Sequence, residues 1–212
     1  RGFQQSIFAT VKHFAGYGAA EAGREYNETE ISRRTMREIY LPPFKAGIDA
    51  GATTLMSAFN SIAGVPASGN AWLTDTVLRR EWGFTGFVVS DWTSVAELVP
   101  HGVAANLADA GRRALTSGVD MDMMSSSYVS DSMAALVRSG RVPMAVVDSA
   151  VMRILRAKQR LGLFRDPYRA RTAPATAESR ALARRAGRES IVLLKNERTV
   201  LPLDPKTATI AV

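Results

Sequence analysis

The chain has 212 residues, 46% of them hydrophobic and 22% charged, a composition that fits one large or two small globular domains and holds no apolar run long enough to span a bilayer. It has no cysteine and only two histidines, His13 and His101, too far apart in sequence for a zinc motif, so neither a metal nor a cofactor is expected. The net charge of +7 is spread over arginine pairs in helical patterns (Arg33-Arg34, Arg79-Arg80, Arg112-Arg113, Arg184-Arg185) without an RNA-binding signature, so no nucleic-acid partner is expected either.

Residues 7–11 form an apolar, strand-like run that leads into Lys12-His13-Phe14. Ser32 can cap a helix carrying Met36, Ile39 and Tyr40; Pro42-Pro43 interrupts it, and 44–50 resumes it as far as Gly51. A second strand at 53–57 precedes Phe59-Asn60-Ser61, and a helix at 73–82 stops at Gly83. The third strand, 87–90, runs straight into Asp91-Trp92; a helix at 104–115 and a fourth strand at 119–121 follow. Helices at 131–139 and 144–161 end at Gly140 and Gly162, the second with its apolar residues on one face. Residues 164–177 hold two prolines and few large apolar side chains and read as a linker. Beyond it, a helix at 178–189, a strand at 191–194, Leu201-Pro202-Leu203 and a strand at 208–212 open a second α/β unit. The alternation predicts a parallel sheet, at a spacing close to the roughly 30 residues per unit of a (β/α)₈ barrel; a doubly wound sheet has a similar rhythm. The chain starts without Met and stops inside a strand-like run, and it reads as an excerpt of a longer protein without a signal peptide of its own.

Three strand ends carry unusual residues: Lys12-His13, then Met56 with Phe59-Asn60, then Ser90-Asp91-Trp92. An acid after four residues that favour burial is a costly place for a charge unless the strand opens into a cleft. A helix N-cap or a solvated loop acid is the alternative for Asp91. Likewise, Lys12-His13 alone reads as a surface dipeptide, and Met56 and Phe59 as core. In a barrel, however, all three ends share one rim. Lys and His donate to hydroxyls, Trp offers a flat apolar face and Asp an anionic nucleophile, a set suited to a sugar.

The sequence words Val11-Lys-His-Phe-Ala-Gly-Tyr-Gly, Gly23-Arg-Glu-Tyr-Asn, Tyr40-Leu-Pro-Pro-Phe-Lys-Ala-Gly, Met56-Ser-Ala-Phe-Asn-Ser, Trp82-Gly-Phe-Thr-Gly-Phe-Val-Val-Ser-Asp-Trp, Gly118-Val-Asp-Met-Asp-Met and Gly162-Leu-Phe-Arg-Asp-Pro-Tyr stand in that order. With Arg188-Glu-Ser-Ile-Val-Leu-Leu-Lys-Asn after them, the chain resembles the family 3 glycoside hydrolases, in particular the bacterial periplasmic-type β-glucosidases. The resemblance implies an α/β fold: the C-terminal part of a (β/α)₈ TIM-like barrel over 1–163, a linker at 164–177 and the beginning of an α/β sandwich domain at 178–212. It implies a retaining, exo-acting β-glycosidase, β-glucosidase first, that releases terminal non-reducing β-D-glucosyl residues through a covalent glycosyl-enzyme on Asp91. Lys12, His13, Met56 and Trp92 fall on positions lining the −1 subsite. The substrate would be a β-glucoside or oligosaccharide, and the location periplasmic or secreted. The same scaffold serves β-xylosidases and exo-glucanases, and a non-catalytic sugar-binding barrel is a further alternative.

The resemblance places the acid/base Glu in the second domain beyond Val212, with Glu189 and Glu197 too early to match it. The Asp-Ser-His loop of the family's N-acetylglucosaminidase branch is absent; Gly23-Arg24-Glu25 stands near that place, and Arg24 is a further candidate contact to substrate. Phe59 stands where relatives often carry Tyr. A barrel excerpt leaves sheet edges unpaired, so these residues alone are expected to aggregate or dimerise and to lack activity. A lyase using Lys12 as a Schiff base would call for a Gly-rich phosphate cradle, and the sequence displays none.

Overall fold

The computed structural model describes residues 7–124, 126–128, 131–168 and 175–206. The chain divides into two compact units, Arg1–Pro167 and Tyr168–Val212. In the first unit, β1 (Thr10–Phe14), β3 (Thr54–Ser57) and β6 (Phe87–Val89) form a parallel sheet in that order. Met121 continues it through a single parallel bridge to Val89. The first strand begins three residues later than the apolar run at 7–11 predicts. Pairing sets its limits: Thr10 lies opposite Thr54, and their hydroxyl oxygens are 2.6 Å apart. Lys12 and His13 therefore lie within the strand and not after it. The predicted fourth strand reduces to the one bridge, because the Asp120 and Met121 amides both turn to the Val88 carbonyl.

Helices alternate with these strands. The Ser32 hydroxyl accepts from the Thr35 amide, the predicted cap, and helical turns run through Arg33–Thr35 and Met36–Tyr40. The next helix, Pro42–Asp49, starts on the two prolines, which have no use for the hydrogen bonds that a first turn leaves unmade. Trp72–Glu81, Leu107–Ser117, Asp131–Arg138 and Met144–Arg160 follow. Asn106 caps the Leu107–Ser117 helix at 3.0 Å from the Asp109 amide, and Gly118 ends it at φ 112°, a left-handed turn that glycine makes without strain. The core between sheet and helices holds Phe14, Leu55, Leu73, Val77, Leu78, Val88, Val95 and Leu98. At the entrance to β6 a side chain on Gly86 would meet the Thr53 carbonyl oxygen at 2.0 Å, so β6 reaches β3 only with glycine there.

Two features escape sequence reasoning. A second small sheet pairs β2 (Glu28–Thr29) in parallel with β4 (Ser61–Ile62), and β4 antiparallel with β5 (Val65–Pro66). Asn60 ties it to the end of β1 by donating to Thr29 Oγ1 (2.7 Å) and to the Ala15 carbonyl (3.3 Å). The other is a buried ionic cluster. Asp120 receives Arg79 Nη2 and Arg153 Nη1, each at 2.6 Å, and the Val88 amide at 2.8 Å.

In the second unit, Thr176 caps the helix Ala177–Glu189, all of which is exposed. Residues 191–194, read from sequence as a strand, pair with no strand among the described residues, and their apolar side chains are exposed. A strand needs a neighbour for its amides, which four apolar residues do not supply. The expected strand at 208–212 lies outside the described residues.

Candidate active site

Asp91 lies two residues beyond the end of β6, after Ser90, and the structure buries it to 9% exposure. Its two oxygens are held separately: Oδ1 accepts from the Trp92 amide at 2.7 Å, and Oδ2 lies 3.2 Å from His13 Nε2 on β1. The segment 121–123 braces the turn behind it. The Ser90 amide donates to the Met121 carbonyl (2.8 Å), the Met123 amide to Ser90 Oγ (2.8 Å), and the Thr93 amide to the Met123 carbonyl (3.0 Å). A β-strand closes on two sides while its end stays open to a rim, which explains how an acid can follow three buried residues.

Burial, and then the adjacent Lys12 ammonium, push the His13 imidazole below its ordinary range, against the opposing pull of Asp91 and Glu25. His13 is thus largely neutral near pH 7, with Nε2 3.2 Å from Asp91 Oδ2. A carboxylate offers about four lone-pair sites, and among the described residues the Trp92 amide is hydrogen-bonded to one of them. Asp91 keeps acceptor, and therefore nucleophilic, capacity.

Of the five residues singled out from the sequence, the structure joins His13, Asp91 and Trp92 directly, the last through its backbone. The Trp92 ring is 56% exposed, a face free to stack. Met56 is half-buried on β3, the strand between the other two. Lys12 is exposed and, among the described residues, forms no hydrogen bond or ion pair; its charge reaches the site only through the field felt by His13. Arg24 is exposed as well.

Sequence reasoning missed a chain of aromatic rings beside His13. Tyr17 lies 5.1 Å from the His13 ring, Phe59 6.2 Å from Tyr17, and Tyr26 4.8 Å edge-on to Phe59. The Tyr17 hydroxyl donates to Glu25 Oε1 at 2.8 Å, and burial together with that bond pushes Tyr17 well above the usual phenol range. The words Gly23-Arg-Glu-Tyr-Asn and Met56-Ser-Ala-Phe-Asn-Ser contained Glu25, Tyr26 and Phe59; nothing local marked them as neighbours. Among the described residues no group of three or more His, Asp or Glu is placed to hold a metal ion, and no helix is long and apolar enough to cross a membrane.

Parallel strands alternating with helices, with a hydrogen-bonded acid beyond the C-terminal end of β6, define an α/β unit. The chain belongs to glycosyl hydrolase family 3: residues 1–157 match the description "Glycosyl hydrolase family 3 N terminal domain". It is 46% identical to the periplasmic beta-glucosidase of Salmonella typhimurium over 98% of this chain and 28% of that protein. It is 36% identical to a beta-xylosidase of Formosa agariphila over 95% of this chain and 30% of that one. Among solved structures, the beta-glucosidase of Listeria innocua in complex with glucose superposes with a TM-score of 0.81 at 46% identity, over 93% of this chain and 28% of that one. The chain thus spans under a third of the length of the relatives it matches.

Proposed function

We propose that the protein containing this chain is a retaining β-glucosidase, with Asp91 as its nucleophile. The observation that carries the reading is the Asp91 carboxylate at the end of β6, buried but half-satisfied, with one oxygen on a backbone amide and the other on a neutral imidazole. An Asp91 oxygen attacks the anomeric carbon while the bond from that carbon to the leaving oxygen breaks and an acid protonates the leaving group. Water, deprotonated by the same group, then displaces Asp91. That acid/base carboxyl belongs, in this reading, to the α/β sandwich domain that begins at 178–212, while 1–163 supply the C-terminal part of the barrel and 164–177 a linker. His13 and Lys12 donate to hydroxyls of the −1 sugar, the Trp92 ring stacks on its C–H face, and Met56 lines the same subsite. The Salmonella relative's name supports a periplasmic or secreted location.

The Formosa relative's name supports β-xylosidase as the second reading, at lower identity. Comparing kcat/KM for aryl β-glucosides and aryl β-xylosides separates the two. Mass spectrometry of the intact protein after reaction with a 2-deoxy-2-fluoro-β-glucoside tests the mechanism. An adduct on the peptide carrying Asp91 is expected; an adduct on another residue, or a first-formed product of inverted configuration, overturns the reading.

A further inference from the structure

Thr93, two residues after Asp91, sits at φ +57°, in the left-handed region. A β-branched residue avoids that region, because its Cβ crowds the following backbone, and it stays there only when its surroundings hold it. Here it is held from two sides. Its amide donates to the Met123 carbonyl at 3.0 Å, and its hydroxyl lies 3.1 Å from Glu97 Oε1 and 2.7 Å from the Trp92 carbonyl. The peptide so gripped joins Trp92 to Thr93, and it adjoins the one whose N–H, that of Trp92, donates to Asp91 Oδ1.

Glu97 is itself unusual. It sits one turn beyond Thr93, and its Oε2 is buried with no partner. A short capping contact would explain Oε1 but not the burial of Oε2 near a second acid. Burial foremost, with the Asp91 charge adding to it, pushes Glu97 above its ordinary range.

Resting on the reading of Asp91 as nucleophile, we propose that Thr93 and Glu97 are positioning residues. Their contact holds the Trp92–Thr93 peptide and, through Trp92, the orientation of the amide that donates to Asp91 Oδ1 and of the Trp92 ring. Neither touches substrate; both act through Asp91 and Trp92.

The test uses the intact protein and two readouts: the rate of trapping by a 2-deoxy-2-fluoro-β-glucosyl fluoride, which reports attack by the nucleophile, and thermal unfolding. Thr93→Val keeps the branched side chain and removes the hydroxyl, and trapping is expected to slow about tenfold or more. Thr93→Ser keeps the hydroxyl and should trap within about twofold of wild type. Glu97→Ala should match Thr93→Val, and Glu97→Gln, which retains an oxygen toward Thr93, should match wild type. The double variant Thr93→Val/Glu97→Ala should lose no more than either single one, because both remove the same contact. A structural role alone would lower the unfolding midpoint and leave trapping by the folded fraction unchanged, or would give additive losses; either result overturns the proposal. Should Thr93→Val fail to fold, the Glu97→Ala and Glu97→Gln pair decides. An adduct on Asp91 formed at the wild-type rate in these variants sinks this inference alone, whereas an adduct elsewhere in wild type sinks the nucleophile assignment beneath it.

Discussion

Asp91 and Asp120 are both buried acids at the ends of neighbouring strand segments, yet their surroundings differ. The Asp120 side chain is 1% exposed and receives two guanidinium groups and an amide. The Asp91 side chain is 13% exposed and receives one imidazole and one amide. Burial pushes both members of the Arg79–Asp120 pair toward their neutral forms, Arg79 down to about 10 and Asp120 up, so desolvation offsets much of that attraction. Asp120 is an acid saturated with partners, holding the helices Trp72–Glu81 and Met144–Arg160 to the sheet. Asp91 is an acid left with lone pairs to use. Burial alone does not distinguish a reactive carboxylate from a structural one; the number and charge of its donors does.

The sharpest way to break the comparison is to exchange oxygen for nitrogen at both positions. Asp91→Asn should lower kcat on an aryl β-glucoside by about four orders of magnitude, since the amide is not a nucleophile. The unfolding midpoint should barely move, because only the His13 contact is disturbed. Asp120→Asn should do the reverse. It leaves two partly buried guanidinium groups without a counter-charge, a loss of about 3–5 kcal/mol in stability, while the folded fraction retains its kcat. Denaturant titration together with steady-state kinetics checks both. Equal loss of activity per folded molecule at the two sites would erase the distinction.

The sequence made the difference between these acids only half legible. Four residues that favour burial followed by Asp91-Trp92 exposed the first acid as anomalous, and the sheet brings His13 Nε2 to 3.2 Å from it, from within β1 and not from after the strand. Asp120 lay in the word Gly118-Val-Asp-Met-Asp-Met with nothing to mark it as a structural centre, since its partners Arg79 and Arg153 are 41 and 33 residues away. The arginine pair Arg79-Arg80 reads as a solvated face, and half of that reading fails: Arg80 is exposed, but Arg79 reaches back to the carbonyls of Phe84 and Gly86. The start of β1, the small sheet and the Tyr17–Phe59–Tyr26 rings were hidden for the same reason. Each depends on pairing across the fold and not on local pattern. Residues 191–194 show the converse, a strand-like pattern that finds no partner among the described residues.

Smaller effects test how His13 serves Asp91. His13→Gln keeps a donor of about the right length but loses the ring that packs on Tyr17. A polar partner beside a charged group is worth about 1.5–3 kcal/mol, so a partial loss corresponds to about a tenfold drop in kcat/KM. His13→Ala should lose more, about a hundredfold. If both retain wild-type kcat/KM, the 3.2 Å contact has no part in the reaction.

The smallest effect is one of pH. Because burial and Lys12 hold His13 below its ordinary value of 6.5, the unfolded chain takes up the imidazole proton first as pH falls. The folded state then binds fewer protons than the unfolded one, and stability must decline as pH drops below about 6.5 until the folded-state pKa is passed. Above 6.5 the imidazole is neutral in both states and contributes no slope. Wild type should therefore lose thermal stability more steeply than His13→Gln between pH 7 and pH 5, the two curves running parallel above pH 7. A wild-type curve that is flatter than the variant's across that window would mean that the imidazole is stabilised in its charged form. The contact with Asp91 would then be an ion pair, and the nucleophile would be as fully matched by charge as Asp120 is.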